Sequence, residues 1–180
     1  MSRTGWSSVA AQRAGLFSAE ELTPRENVPS KSVAEAKKAM AAYYGMCTAI
    51  DAQVGRLLKA VPEDTIVVFT SDRGEMLHSH GLQGQNVWYE ESTGVPLLMR
   101  WPGQLAAGTQ QDWLCNSIDL APTLRGLCGM APLENAHGED RSELVRNKGV
   151  GARPESTYLQ GELGTPREWR MMIRGWDKLV

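Results

Sequence analysis

The sequence predicts an α/β fold, on three observations. A long stretch of helical period is stopped by a proline. A short, continuously apolar, β-branched run follows it at once. A polar turn then lies just past the carboxyl end of that run. Helix followed by buried strand is half of a βαβ unit. In open α/β sheets, ligands bind outside the carboxyl ends of the strands.

Each element can be justified in chain order. Residues 1–31 read as an irregular segment, because Thr23-Pro24 and Val28-Pro29 interrupt any period. Ser32-Val-Ala-Glu35 has the form of a capping box. Ala36, Met40, Tyr43, Cys47, Ile50, Val54, Leu57 and Val61 then recur at steps of four and three, and Pro62 ends the pattern. That is one face of a helix from Val33 to Val61, and Tyr43, Ile50, Val54 and Leu57 are expected to be buried on a sheet. Residues 65–70 (Thr-Ile-Val-Val-Phe-Thr) read as a strand covered on both faces, the pattern of a parallel sheet. Residues 76–94 form a polar, glycine-bearing loop, and 95–101 a second strand closed by Pro102-Gly103.

Ser117–Met130 reads as a helix. Asp119 is placed to cap it, Pro122 fits its first turn, and Gly129 fits its end. A short helical piece is expected near Ser142–Arg146, and strands at Thr157–Gln160 and Trp169–Arg174. A further strand begins around Asp177–Val180.

Composition narrows the function classes. The 180 residues are 42% hydrophobic and 22% charged, with 19 Lys and Arg against 21 Asp and Glu. The signs are mixed along the chain, without the basic stripe of a nucleic-acid binder. No run reaches the ~20 apolar residues of a membrane span. No apolar core follows Arg3, so Met1 does not open a signal peptide. Cys47, Cys115 and Cys128 have no metal-ligand spacing and read as small buried apolar residues, with a Cys115–Cys128 bridge the alternative.

Several segments together carry a resemblance. They are Tyr43-Tyr44-x-Met46 with Ala49-Ile-Asp-Ala-Gln-Val-Gly-Arg-Leu-Leu58, then Thr65-Ile-Val-Val-Phe-Thr-Ser-Asp-Arg-Gly-Glu75. His80-Gly-Leu-x-Gly84, Tyr89-Glu-Glu-Ser92, Val95-Pro-Leu97, Arg100-Trp-Pro-Gly103 and Ile118-Asp-Leu-Ala-Pro-Thr-Leu124 follow. In this order and spacing the chain resembles the sulfatase family of the alkaline phosphatase superfamily, on the C-terminal side of its catalytic domain. The resemblance implies a partial three-layer sandwich with a mostly parallel central sheet. It divides the chain into the irregular segment 1–31 and a partial catalytic domain, 32–180, without the nucleophile half and the end of the C-terminal subdomain.

The resemblance also implies chemistry. A formylglycine made from a Cys/Ser-x-Pro-x-Arg motif attacks the sulfate sulfur, and a divalent cation, usually calcium, holds the sulfate oxygens. Asp72 matches a metal ligand. Arg73 stands where the family carries His or Asn, and guanidinium has no lone pair to give a cation. Gln85 stands at the sulfate-binding Lys, and His80 matches a supporting loop position. Tyr89, Glu90 and Glu91 read as capping and packing residues, His78 as a polar loop histidine, and His137 carries no assignment.

Asp72 is expected to pair with a cationic group such as Arg73 rather than with calcium. No Cys/Ser-x-Pro-x-Arg occurs in the chain. The expectation is therefore a fragment or degenerate copy of a sulfuric ester hydrolase, inactive alone. A non-catalytic interaction module and part of a superfamily phosphoester hydrolase are the alternatives. The implied partner is a sulfate ester, and open sheet edges favour self-association.

Overall fold

The computed structural model describes residues 33–180, and the expected cap at Ser32 and the segment 1–31 lie outside them. Helix α1 spans Val33–Ala60, strand β1 Val67–Thr70, a single-turn helix α2 Glu90–Thr93, and strand β2 Leu97–Arg100. Helix α3 spans Leu120–Leu127 and α4 Ser142–Arg146, followed by strands β3 (Ser156–Gly161), β4 (Trp169–Arg174) and β5 (Asp177–Leu179). The chain divides into two units.

The first unit holds α1, residues 73–85 and residues 89–95. Its helix matches the sequence pattern to within a residue, but its apolar face is not buried as expected. Of the four residues expected there, Ile50 and Leu57 are 53% and 63% exposed and Tyr43 and Val54 are half-buried, while Ala36 is the buried residue of the helix. Period marks which side of a helix wants cover, and it says nothing about which chain segment supplies that cover.

The second unit holds β1, β2 and residues 96–180. The strands β1 and β2 pair with Val67 opposite Arg100 and Thr70 opposite Leu97. The ladder is antiparallel, as are β3–β4 and β4–β5, so among the described residues the mostly parallel sheet is replaced by two small antiparallel ones. The apolar run of β1 misled because its residues are only half-buried. A continuous apolar run fits any well-covered strand, whatever the direction of its neighbour.

Around α3 the local chemistry explains the geometry. A 3-10 turn, Ser117–Asp119, leads into the helix, and its cap is Asn116 rather than Asp119. The Asn116 side chain accepts from the Ile118 amide, and Asp119 reaches back to the Asn116 amide at 3.2 Å. Asp119 is therefore the reciprocating acid of a capping box. At the far end Gly129 takes φ +65°, the Met130 amide donates to Arg125 O, and the Gly129 amide donates to Gly126 O. This is a Schellman ending, and a side chain at Gly129 would strain it. Leu127, Leu144 and Met171 form the buried apolar residues of this unit.

Candidate functional site

The turn after β1 and the loop behind it hold most of the residues singled out in the sequence. Asp72 lies two residues past the end of β1 and is exposed. From Arg73 the chain runs into a loop that is clasped at its base. Gly74 N donates to Ser92 O, and Met76 N donates to Gly84 O, both at 2.8 Å. The Glu75 carboxylate accepts from Gly84 N at 2.6 Å and from Leu77 N at 3.4 Å. Met76 is fully buried beneath this clasp. Leu77, His78 and His80 have positive φ, and Gly81 and Gly84 take up two more such positions without a Cβ penalty.

The clasp sets Arg73 and Gln85 side by side. With its oxygen turned to the guanidinium, the Gln85 amide accepts from Arg73 Nε at 3.1 Å and from Nη2 at 3.3 Å. The Arg73 guanidinium thus reaches Gln85 across the base of the loop. The clasp allows this contact, since it brings residue 85 back to the start of the loop.

The histidines separate. His80 stacks on the Tyr89 ring at 4.0 Å between centroids and 12° between planes, with its Nε2 3.7 Å from Glu91 Oε1. His78 is buried, and the Gln83 amide nitrogen lies 2.9 Å from its Nε2 and 3.2 Å from its Nδ1. The two imidazoles therefore serve different contacts and do not converge on a metal. A shallow cavity of ≈ 430 Å³ lies between Tyr43 and Met46 of α1 and Glu75, His78 and Gln83 of the loop. Desolvation raises the Tyr43 phenol above its ordinary pKa, with Cys47, Glu75 and Tyr44 adding to the shift.

A calcium ion needs about six to eight oxygen ligands. Among the described residues no group of three or more His, Cys, Asp or Glu is placed to hold an ion. The donor set around Asp72 and Arg73 does not fit that cation. The cysteines also depart from expectation, since Cys47, Cys115 and Cys128 are exposed and free, without a bridge. Glu75 is the residue whose importance the sequence hid. Its signal was an acid and a glycine, Glu75 and Gly84, at the two ends of one loop.

No helix among the described residues is long and apolar enough to cross a membrane. The sulfatase family model matches residues 10–130. An ulvan-active sulfatase of Formosa agariphila is 36% identical over 153 residues, covering 80% of this chain and 30% of that protein. An N-acetylglucosamine-6-O-sulfatase of Bacteroides thetaiotaomicron is 27% identical over 170 residues, covering 92% and 27%. A solved structure in complex with its substrate D-glucosamine-2-N,6-O-disulfate superposes with a TM-score of 0.72 at 25% identity, covering 94% of this chain and 36% of that one. A phosphonate monoester hydrolase from Silicibacter pomeroyi shares the fold with a TM-score of 0.67 at 24% identity, covering 73% and 27%. The chain thus spans less than a third of the length of these curated relatives. Its matched segments run from before α1 to the end of α3, through the clasped loop, and on that ground the chain belongs to the sulfatase family.

Proposed function

We propose that the chain is the part of a sulfuric ester hydrolase that surrounds the ester's anionic group without attacking it. Residues 32–180 are then a partial catalytic domain. Asp72 stands at the strand end as a carboxylate of the site, Gln85 faces the sulfate, and His80 supports the loop. The observation that carries this reading is the clasped loop, which follows β1 in the chain and sets Arg73 and Gln85 side by side within a family-matched segment. Hydrolysis needs an activated nucleophile, and no Cys/Ser-x-Pro-x-Arg is encoded in these residues. The 180-residue chain by itself therefore leaves a sulfate ester intact. The family's cation, calcium included, would need ligands beyond the described residues.

A second reading, a non-catalytic interaction module, draws on the exposed apolar residues Met46, Ile50 and Leu57 of α1. Such a face, like open sheet edges, favours association. The likeness to a phosphonate monoester hydrolase shows a shared fold, and a phosphoester hydrolase would need the same missing nucleophile.

The test is an assay of the purified chain on an aryl sulfate and an aryl phosphate, with and without a chelator. No turnover is expected. Turnover that co-purifies with the chain through successive columns would overturn the proposal. Sedimentation of the same sample separates the second reading, which requires oligomers or a bound partner.

A further inference from the structure

We infer that Gln85 is the positioning residue for Arg73, and that the pair presents one oriented guanidinium to an ester oxyanion. The inference rests on the proposed function for its ligand, and on geometry for its coupling. Arg73 is a pure donor, so its neighbour must present an acceptor. Gln85 does so with a single oxygen, which takes both Nε and Nη2 at 3.1 and 3.3 Å. Engaging those two donors together fixes the plane of the guanidinium and holds its charge at the base of the loop.

The clasp makes the placement firm on the side of Gln85. Its neighbour Gly84 is bonded through both backbone groups, the amide to Glu75 and the carbonyl to the Met76 amide. Gly74, next to Arg73, is tied to Ser92 O, and a Cβ on it would run into the Glu91 carbonyl. Both backbones are therefore held, and the side chains meet in one arrangement. A lysine at residue 85 would remove the acceptor and set a second positive charge against the guanidinium, which repels at this separation even in a partly wet site. A guanidinium, by contrast, matches the planar oxygen pairs of sulfate and phosphate.

Two measurements on the full chain test the unit. The first is a cycle of urea midpoints for Gln85→Lys, Arg73→His, both together, and Gln85→Glu. We expect Gln85→Lys to lower the midpoint, Gln85→Glu to keep it because the acceptor survives, and Arg73→His to relieve most of the lysine's effect. Equal effects of Gln85→Lys with and without Arg73 would overturn the coupling, and so would equal losses from Lys and Glu. If Gln85→Lys alone fails to fold, recovery of folding in the double variant is the same positive result. The second measurement is modification of Arg73 by phenylglyoxal, read by peptide mapping in the presence of a chelator. Sodium sulfate is expected to slow it severalfold relative to sodium chloride at equal ionic strength, and less in Gln85→Lys. Equal rates in the two salts would overturn the oxyanion role. Neither readout depends on turnover, so a sulfatase activity in the unmodified chain would sink the proposed function and leave the coupling standing.

Discussion

The two units of the molecule bury their side chains in different ways. The unit around α3, α4 and β3–β5 contains Leu127, Leu144 and Met171 at 1%, 5% and 1% exposure. It is also cross-tied by polar groups distant in sequence. Asn116 Nδ2 donates to Thr157 Oγ1 at 3.1 Å and to Tyr158 O at 2.9 Å, and Arg146 donates to Leu127 O at 2.6 Å. The unit around α1 has a 28-residue helix in which one residue is buried, and its order comes from a hydrogen-bonded loop over Met76. One unit is organised around its own core. The other is organised around a clasp, and its helix presents an apolar face among the described residues. The difference teaches that in this chain the loop bearing the candidate site is held by hydrogen bonds closed over a single buried apolar side chain, Met76, rather than by an apolar core shared among several elements.

The largest effect expected from that contrast is a pair of truncations. Leu127→Ala removes a fully buried side chain and should cost about 2–5 kcal/mol, including the cavity left behind. Leu57→Ala, on the exposed face of α1, should change stability by no more than about 0.5 kcal/mol. Urea denaturation of both variants checks this. A large loss at Leu57 would mean that its face is covered in solution, and the contrast between the units would collapse.

A smaller effect tests the clasp itself. Gly74 has no room for a methyl group because the Glu91 carbonyl oxygen occupies the space a Cβ would take. That neighbour is backbone and cannot swing aside. Gly74→Ala should therefore cost about 1–3 kcal/mol, the range for overpacking a filled site. It should also speed amide exchange at Met76 and Gly84, whose bonds close the loop. Unchanged exchange at these two amides would show that the loop does not depend on its base.

How much of this was legible beforehand differs by element. The limits of α1, α4 and β4 could be read almost to the residue, because period, proline and glycine act locally. Strand direction could not, since β1 owes its antiparallel partner to β2 across a long loop, and nothing within residues 65–70 records it. The cap of α3 was displaced from Asp119 to Asn116, because both residues carry side chains able to cap and only the entry angle decides between them. At the site, the resemblance to the sulfatase family pointed to Asp72, Arg73, Gln85 and His80 as candidates. That Arg73 meets Gln85 depends on the fold of the intervening loop. The exposure of the cysteines escaped for the same reason, since position on a surface is a property of packing.

The smallest effect concerns Cys115, and it probes how well the better-packed unit shelters a group at its margin. Desolvation, with the Asp119 carboxylate adding and Arg141 opposing, pushes its thiol up to about 11. The residue is exposed overall, so the shelter belongs to the thiol end, whose sulfur lies 3.7 Å from Asn116 O. Only the thiolate attacks an alkylating agent. A pKa near 11 leaves roughly one thiol in a thousand ionised at pH 8, against about a quarter for an ordinary cysteine. Alkylation of Cys115 by iodoacetamide, followed by mass spectrometry of its peptide, should therefore be slow at pH 8 and climb about tenfold per pH unit toward pH 10. The sign of the carboxylate's influence can be tested separately. Asp119→Asn removes the negative charge that disfavours the thiolate, so it should lower the thiol's pKa and speed alkylation at pH 8. That variant also touches the capping box, since Asp119 accepts from the Asn116 amide at 3.2 Å and from the Glu139 amide at 2.8 Å. Alkylation must accordingly be compared at a urea concentration of zero and with the fold verified by circular dichroism. A rate that levels off below pH 9 in the unmodified chain would show a thiol in ordinary solvent, and the margin of this unit would then be as open as the face of α1.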